Sequence, residues 1–391
     1  MLESILKFSI ERSKLILVFV LAVATIGLWN FTKLSIDAVP DITNVQVIIN
    51  TEAAGYTPLE VEQRVTFPLE TALAGVPGLV NTRSVSRYGL SQVIAIFTDE
   101  TDIYFARQVI GEKLNAAKSE LPAGLSPVLG PISTGLGEIF MFTVDAEPGA
   151  KNADGSAVTA TDLRTIHDWT IRPQLIQVDG VVEVNPIGGY KREILIAIDP
   201  QKLLAHGLSQ QDVIAAISTH NQNRGAGFIE KNGAQWLVRV PGQVQDIENL
   251  GNIPIATRTG QFLKVKDVAQ VKEGKELRTG AATQDGHEIV LSTVFMLIGE
   301  NSQKVAKGVG DKLAEINETL PDGIIANAVY DRTKLVNKTL NTVEMNLIEG
   351  AILVVVILFL FLGNFRAALL TAAVIPFAML MTITGMVQTK T

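Results

Sequence analysis

Hydrophobic and polar positions follow three different periods along this chain, and each period predicts a different kind of element. Unbroken apolar runs are the first. Leu15 to Trp29 (LILVFVLAVATIGLW) carries no charge and follows Lys7, Arg12 and Lys14. Extended to Phe31, it approaches the roughly 20 residues that a membrane-spanning helix needs. A cleavable leader ending near Ala22-Val23-Ala24 is the alternative, but the apolar run continues past that point through Ile26, Leu28, Trp29 and Phe31. A second run extends from about Met345 to Leu362 and a third from Ala367 to about Val387, with Pro376 inside it. Only Gly363, Asn364, Phe365 and Arg366 separate these two, which predicts a tight helical hairpin. If all three runs cross, the basic residues before the first and Arg366 fall on one side. That is the positive-inside pattern, and it puts residues 36–335 outside the cytoplasm.

The intervening stretch reads in the other two periods, strand alternation and helical spacing, and it reads the same way twice. NVQVIINT (44–51) is a β-branched strand. Thr57-Pro58-Leu59-Glu60 combines an N-cap, a first-turn proline and the acid that closes a capping box, so a helix is expected to about Ala74, disturbed at Pro68. VPGLV (76–80) turns into a strand, SQVIAIFT (91–98) follows, and a helix with the stripe Ile103, Ala106, Ile110, Leu114 ends at LPAG (121–124) before a short strand. The order β-α-β-β-α-β is the ferredoxin-like split motif. It recurs as EIFMFTVD (138–145), a helix over 160–177, VDGVV (178–182), EIVLSTVFML (288–297), a helix capped near Asn301, and LPDG (320–323). The VDGVV and LPDG markers stand much further apart than VPGLV and LPAG do. An inserted subdomain is therefore expected over roughly residues 189–280, containing short strands, one helix near 209–219 and a polar, glycine-rich projecting hairpin within 220–236. The predicted domains are 1–35, 36–131, 132–188 with 281–331, 189–280, and 335–391.

Composition agrees with a chain divided between water and lipid: 47% of residues are hydrophobic but only 19% charged, against about 25% in soluble proteins. The net charge of −7 argues against nucleic-acid binding, and the absence of cysteine excludes disulfides and thiolate metal sites. HExxH, GxSxG, P-loop and Rossmann glycine patterns are all missing, so an enzyme finds no support.

Taken together, one span, two split βαβ units with an insertion in the second, and a helical hairpin resemble the N-terminal half of a resistance-nodulation-division (RND) efflux transporter. DAVPDITNVQV (37–47), PLETALAGVPG (68–78), DGVVEVNPIGG (179–189), VYDRT (329–333) and LGNFRAALLTAAVIP (362–376) resemble its heavy-metal efflux branch, most of all the cobalt-zinc-cadmium resistance pumps. The resemblance implies a proton-driven, multi-pass inner-membrane exporter of zinc, cobalt or cadmium, with its large domain in the periplasm. It further implies a homotrimer working with a periplasmic membrane-fusion adaptor and an outer-membrane channel. The 189–280 insertion would be the docking region and residues 221–236 an arm toward a neighbouring protomer. No resident cofactor is implied, because the divalent ion is cargo. The parent would be more than twice as long, and the acidic residues that take up protons would lie on a fourth helix beyond residue 391.

Two carboxylates match positions that resemble cation ligands in zinc-handling relatives. Glu138 follows the glycine-rich TGLG and Asp168 sits in LRTIHDWTIRPQL. Oxygen ligands suit divalent zinc and cobalt. The residue-level alternative is that both are solvated, or pair with Arg164 or Arg172. His167 lies about 100° from Asp168 around a helix and is not expected to face the same site. His206, His220 and His287 read as isolated surface residues, and Met141 and Met296 are too few for the soft-ligand chemistry of copper or silver. Two other functions fit the layout: a membrane-anchored periplasmic sensor or receptor, for which the tight hairpin leaves no output module, and an RND exporter of organic compounds, for which an aromatic content of 6% is low.

Overall fold

The computed structural model describes residues 8–31, 43–240, 242–256, 262–278 and 280–389. Lys7 and the first six residues of the 37–47 motif fall outside that set. The first apolar run forms α1 (Ser13–Phe31). β1 (Gln46–Glu52) then opens the first β-α-β-β-α-β unit. Its helix α2 (58–73) starts as the residues demand: the Thr57 hydroxyl accepts from the Glu60 N–H at 3.4 Å while the Glu60 carboxylate accepts from the Thr57 N–H at 2.9 Å. Such a cap contributes about 1 kcal/mol. The disturbance at Pro68 takes the form of a π-helical turn, Glu62–Thr66, in which the Phe67 N–H bonds the Glu62 carbonyl. A proline has no N–H to give to the carbonyl four residues back, and its ring crowds that carbonyl. Widening the preceding turn relieves both problems.

β2 (Leu79–Arg87), β3 (Leu90–Phe97), α3 (Ile103–Ala117) and β4 (Val128–Leu129) complete the unit. The strands are antiparallel in the order β2–β3–β1–β4. Val47 and Ile49 from β1, Val61, Val65, Leu69 and Leu73 from α2, and Ala106, Ile110 and Leu114 from α3 form its core.

The second unit repeats the design with β5 (Glu138–Ala146), α4 (160–175) and β6 (Val181–Ile187). Thr159 and Asp162 form the same capping box, and a second π-helical turn, His167–Ile171, again precedes a proline, Pro173. Thr57, Val61, Leu69, Leu73, Val76 and Gly78 are spaced in the chain as are Thr159, Leu163, Ile171, Leu175, Val178 and Gly180.

The chain then leaves through Gly188 and Gly189 into the insertion. β7 (Arg192–Ile198) pairs antiparallel with β12 (Ala269–Lys275) to form its base. Between them come α5 (Pro200–Ala205), α6 (Gln210–His220), β8 (Arg224–Lys231), β9 (Ala234–Val240), α7 (Ile247–Gly251), β10 (Pro254–Ala256), β11 (Phe262–Lys264) and α8 (Val265–Val268). One helix was expected here and four form among the described residues. The other three have at most six residues, too short for a helical stripe to show in sequence, and two of them are held at the start by aspartate caps, Asp199 and Asp246. The insertion has its own small core around Leu203, Val213, Ile255 and Val265. The β8–β9 ribbon is exposed along all of β8 and presents Phe228, Ile229, Trp236 and Leu237 to solvent.

β13 (Ala282–Gln284) and β14 (His287–Met296) bring the chain back. β14 inserts between β5 and β6, and after α9 (Ser302–Asn317), capped by Asn301, β15 (Ile324–Asp331) pairs with the other edge of β5. His287 is exposed but not isolated: its Nε2 lies 2.8 Å from Asp145 Oδ2, so the pair ties the returning hairpin to the end of β5.

The second apolar run is the end of a longer helix. α10 (Arg332–Leu362) is one helix of 31 residues that begins at the Asp331 cap, with no linker after β15. In its first turns Arg332 and Val336 are buried, while Lys334, Asn337 and Lys338 are exposed to solvent, so these turns do not read as a span. Gly363, at φ +61°, closes the helix as a left-handed cap, Asn364 caps the next, and Phe359 meets Phe365 edge to face at 6.2 Å across the turn. The third run is not continuous. It divides into α11 (Phe365–Ala372) and α12 (Val374–Thr389), because Pro376 cannot donate to the Ala372 carbonyl. Among the described residues two helices are long and apolar enough to cross a membrane, within Ser13–Asn30 and Arg332–Phe361.

α12 packs on α1 at Gly27, where a Cβ would stand 2.6 Å from Leu380 Cβ. Small residues let membrane helices approach closely. Gly27→Val is expected to cost about 1–3 kcal/mol by overpacking, read as a lower melting temperature of the detergent-solubilised protein. An unchanged melting temperature would show that the helices separate without cost.

The His287 pair generates a pH dependence. The hydrogen bond to the Asp145 carboxylate, and then that group's charge, raise the His287 pKa above the usual 6.5. Its contribution is therefore fully present below pH 6.5 and is lost as pH rises through the raised value. His287→Gln should lower the melting temperature at pH 6 and leave it unchanged at pH 9. An equal deficit at both would remove the charge from the explanation.

Candidate functional site

Both carboxylates singled out in the sequence belong to the second unit, and each is delivered by an irregularity in the backbone. Glu138 is the first residue of β5 and follows a 3₁₀ turn, Gly135–Gly137. Gly137 lets the strands approach closely there: a Cβ would lie 3.2 Å from the Met296 carbonyl oxygen, which would have to give by a few tenths of an ångström. Glu138 pairs with Phe295 of β14 across a bulge and is half-buried. Asp168 lies in the π-helical turn of α4.

The surroundings of Asp168 form a chain of polar contacts that begins in the core. His167 is completely buried and its ring stacks on Phe142 with centroids 6.0 Å apart. Its Nε2 is 2.9 Å from the hydroxyl of Ser292, also fully buried, and its Nδ1 is 2.8 Å from Asp168 Oδ1. Asp168 Oδ2 accepts from Arg164 Nε at 2.9 Å, and an Arg164 terminal nitrogen donates to the Gly188 carbonyl at 3.2 Å. Burial lowers the His167 pKa despite the adjacent aspartate, so the imidazole is neutral. Its arrangement is then set: Nδ1–H donates to the carboxylate and Nε2 accepts from the Ser292 hydroxyl. Burial alone would raise the Asp168 pKa, but the hydrogen bonds from His167 and Arg164, with the charge of Arg164, hold it below the usual carboxylate value. Asp168 is an anion.

Serine, histidine and aspartate in this order have the contacts of a nucleophilic triad. Ser292 and His167 are both wholly buried, so no substrate reaches the hydroxyl, and the arrangement orients Asp168 instead.

His167 and Asp168 thus meet, contrary to the helical-wheel expectation. A π-helical turn spaces adjacent residues more closely around the axis than the 100° of an α-helix, and Nδ1 is the ring nitrogen nearer the backbone. Pro173 was the available signal, because the first unit places the same turn ahead of its proline. The alternative partner for Asp168 is also resolved: Arg164 makes the ion pair, while Arg172 Nε is buried without a hydrogen-bond partner. His206 is exposed and His220 bonds the Ala216 carbonyl one turn back.

Glu138 and Asp168 share this unit: His167, which orients Asp168, packs over Phe142, four residues along β5 from Glu138. Among the described residues no group of three or more histidine, cysteine, aspartate or glutamate side chains is placed to hold a metal ion.

Comparison with known proteins supplies what this geometry leaves open. A family model described as AcrB/AcrD/AcrF matches residues 5–391. The chain is 56% identical over 390 residues to the cobalt-zinc-cadmium resistance protein CzcA of Cupriavidus metallidurans, covering 100% of this chain and 37% of that protein. It is 43% identical to the nickel-cobalt-cadmium resistance protein NccA of Alcaligenes xylosoxydans xylosoxydans, covering 99% of this chain and 38% of that one. A crystal structure of a heavy metal efflux pump superposes with a TM-score of 0.88 at 30% identity, over 99% of this chain and 38% of the pump. The chain therefore spans between about a third and two-fifths of the length of the proteins it matches.

Proposed function

This chain belongs to the AcrB/AcrD/AcrF family, and from that premise we propose that it is the N-terminal part of a proton-driven inner-membrane pump that exports divalent heavy-metal cations. The observation that carries this reading is the 56% identity, along the whole chain, to a protein named for resistance to cobalt, zinc and cadmium. A secondary transporter, not an enzyme, fits a chain whose Ser-His-Asp contacts are sealed in a core.

In this reading each β-α-β-β-α-β unit is a ferredoxin-like porter subdomain in the periplasm, spanning 36–131 and 132–188 with 281–331. Residues 189–280 are the docking subdomain. The strand orders, with β1 and β5 each flanked by the returning third strand and the fourth, support the assignment. α1, α10 and the α11–α12 segment are the membrane helices of a multi-pass protein. The exposed aromatic ribbon β8–β9 supports a trimer in which it reaches a neighbouring protomer, with a membrane-fusion adaptor and an outer-membrane channel completing the export path.

Glu138 and Asp168 are the carboxylates this chain contributes to the cation. The remaining ligands come from elsewhere in the parent protein, because among the described residues no three histidine, cysteine, aspartate or glutamate side chains stand together to hold a metal. Oxygen donors without a cluster of methionines favour zinc, cobalt or cadmium over monovalent copper. In the full-length parent, Glu138→Ala and Asp168→Ala should each weaken zinc binding about ten-fold, a loss of about 1.4 kcal/mol, with the melting temperature of the protein retained. Zinc titrations that coincide with wild type for both variants would remove these residues from the site.

A further inference from the structure

The proposed ligand Asp168 already holds a cation, and it is part of the protein. Its two oxygens are engaged differently. Oδ1 receives His167 Nδ1 at 2.8 Å, and that imidazole cannot withdraw: it is fully buried, bonded to Ser292 and stacked on Phe142. Oδ2 receives Arg164 Nε at 2.9 Å, and this side chain is 22% exposed. Arg164 borders a cavity of about 260 Å³ that is also lined by Gly188, Lys191, Glu276 and Arg278. One oxygen of Asp168 is therefore fixed and the other is exchangeable.

We propose that Arg164 is a resident counter-ion, a guanidinium that occupies the Oδ2 position of Asp168 until a divalent cation displaces it. This rests on the reading of Asp168 as a cation ligand and adds how that ligand is controlled. An arriving cation meets a neutral Arg164–Asp168 pair and gains the carboxylate only when the guanidinium leaves. Partly exposed ion pairs are weak enough to exchange. The cavity gives the displaced side chain somewhere to go. Glu276 lies on its wall with only a long contact from Lys191, Nζ to Oε2 being 3.5 Å, and both of those side chains are more than half exposed. Arg278 is already held by Glu288.

Displacement also reaches beyond the ligand. Arg164 bonds the carbonyl of Gly188, where the chain leaves the second unit for the insertion. Gly188 and Gly189 are in the left-handed region and packed without slack: a Cβ would lie 2.6 Å from the Ile289 oxygen at one and 2.7 Å from the Ala160 oxygen at the other. The opposite limb of the connection lines the same cavity through Glu276, Leu277, Arg278 and Gly280. Exchange of Arg164 from Asp168 toward Glu276 moves a charge from one side of that root to the other.

The test is calorimetric zinc titration of the full-length parent as wild type, Arg164→Gln, Asp168→Asn and the double variant. Removing the competitor should tighten zinc about ten-fold in Arg164→Gln, while Asp168→Asn weakens it and the double variant follows Asp168→Asn. Arg164→Lys, which keeps the charge, should stay near wild type. Millimolar methylguanidinium added to Arg164→Gln should refill the vacated position and return the affinity toward wild type, an effect that a merely structural role for Arg164 does not produce. Weakening in Asp168→Asn without tightening in Arg164→Gln overturns the counter-ion and leaves the ligand standing. Equal tightening by Lys and Gln also overturns it. Wild-type affinity in Asp168→Asn removes the ligand, and the counter-ion with it.

Discussion

The return of β14 into the gap between β5 and β6 is the constraint on which the second unit depends. β5 is a central strand: without β14 on one side and β15 on the other, its backbone donors and acceptors would be buried without partners, at a cost of roughly 1–3 kcal/mol each. The register pairs Val144 with Val290 and Phe140 with Val294, so the same act of pairing closes the core. It also brings Ser292 under His167, although 125 residues separate them in the chain. Everything between β6 and β14 must then leave and re-enter at one place, and the insertion is built as its own body on the two-stranded base of β7 and β12.

The duplication explains why a polar node stands where it does. By spacing, Val65 of the first unit corresponds to His167 of the second, and Thr66 to Asp168. Val65 is wholly buried in its core, and Thr66 spends its hydroxyl on Ser86 and Ser91, at 2.8 Å each. The second copy keeps the helix and the cap, sets its π-helical turn and proline three residues further along, and replaces the apolar position by an imidazole and the hydroxyl by a carboxylate. A neutral histidine with both nitrogens bonded is tolerated in a core. An aspartate at the mouth of the same turn gains a fixed orientation from it. A spare helix position has become an oriented anion at little structural expense.

Much of this was legible in the residues. The capping box at Thr57 is local chemistry and forms as expected, as does the cap at Asn301, and the unequal spacing of the VPGLV–LPAG and VDGVV–LPDG markers pointed to an insertion. Three features were not legible, for distinct reasons. The first turns of α10 carry exposed polar residues such as Lys334, Asn337 and Lys338, so hydropathy marks only the apolar part of that helix, from near Met345, and not its start at Arg332. The break ahead of Pro376 depends on whether a neighbour can accept the freed carbonyl, which composition does not state. The contacts of Asp168 depend on a change of helical period and on a serine from a distant strand, and no fixed wheel angle anticipates either. Glu138 was singled out by its resemblance to cation ligands of zinc-handling relatives, while the local pattern marks only the glycine-rich turn before it.

The absence of a linker between β15 and α10 carries a mechanical consequence. A helix that merely anchored the body would be expected to join it through a few exposed residues, since these absorb tilt. Here Asp331 ends the strand and caps the helix, and Arg332, the first helical residue, is 4% exposed with its guanidinium donating to the carbonyl of Leu136. Leu136 is the middle of the 3₁₀ turn that ends immediately before Glu138. Gln303 of α9 bonds Asn337 one turn further on at 2.6 Å. The start of α10 is thus tied through Arg332 to the turn that leads into β5, the strand whose first residue is Glu138 and whose middle carries Phe142 under His167.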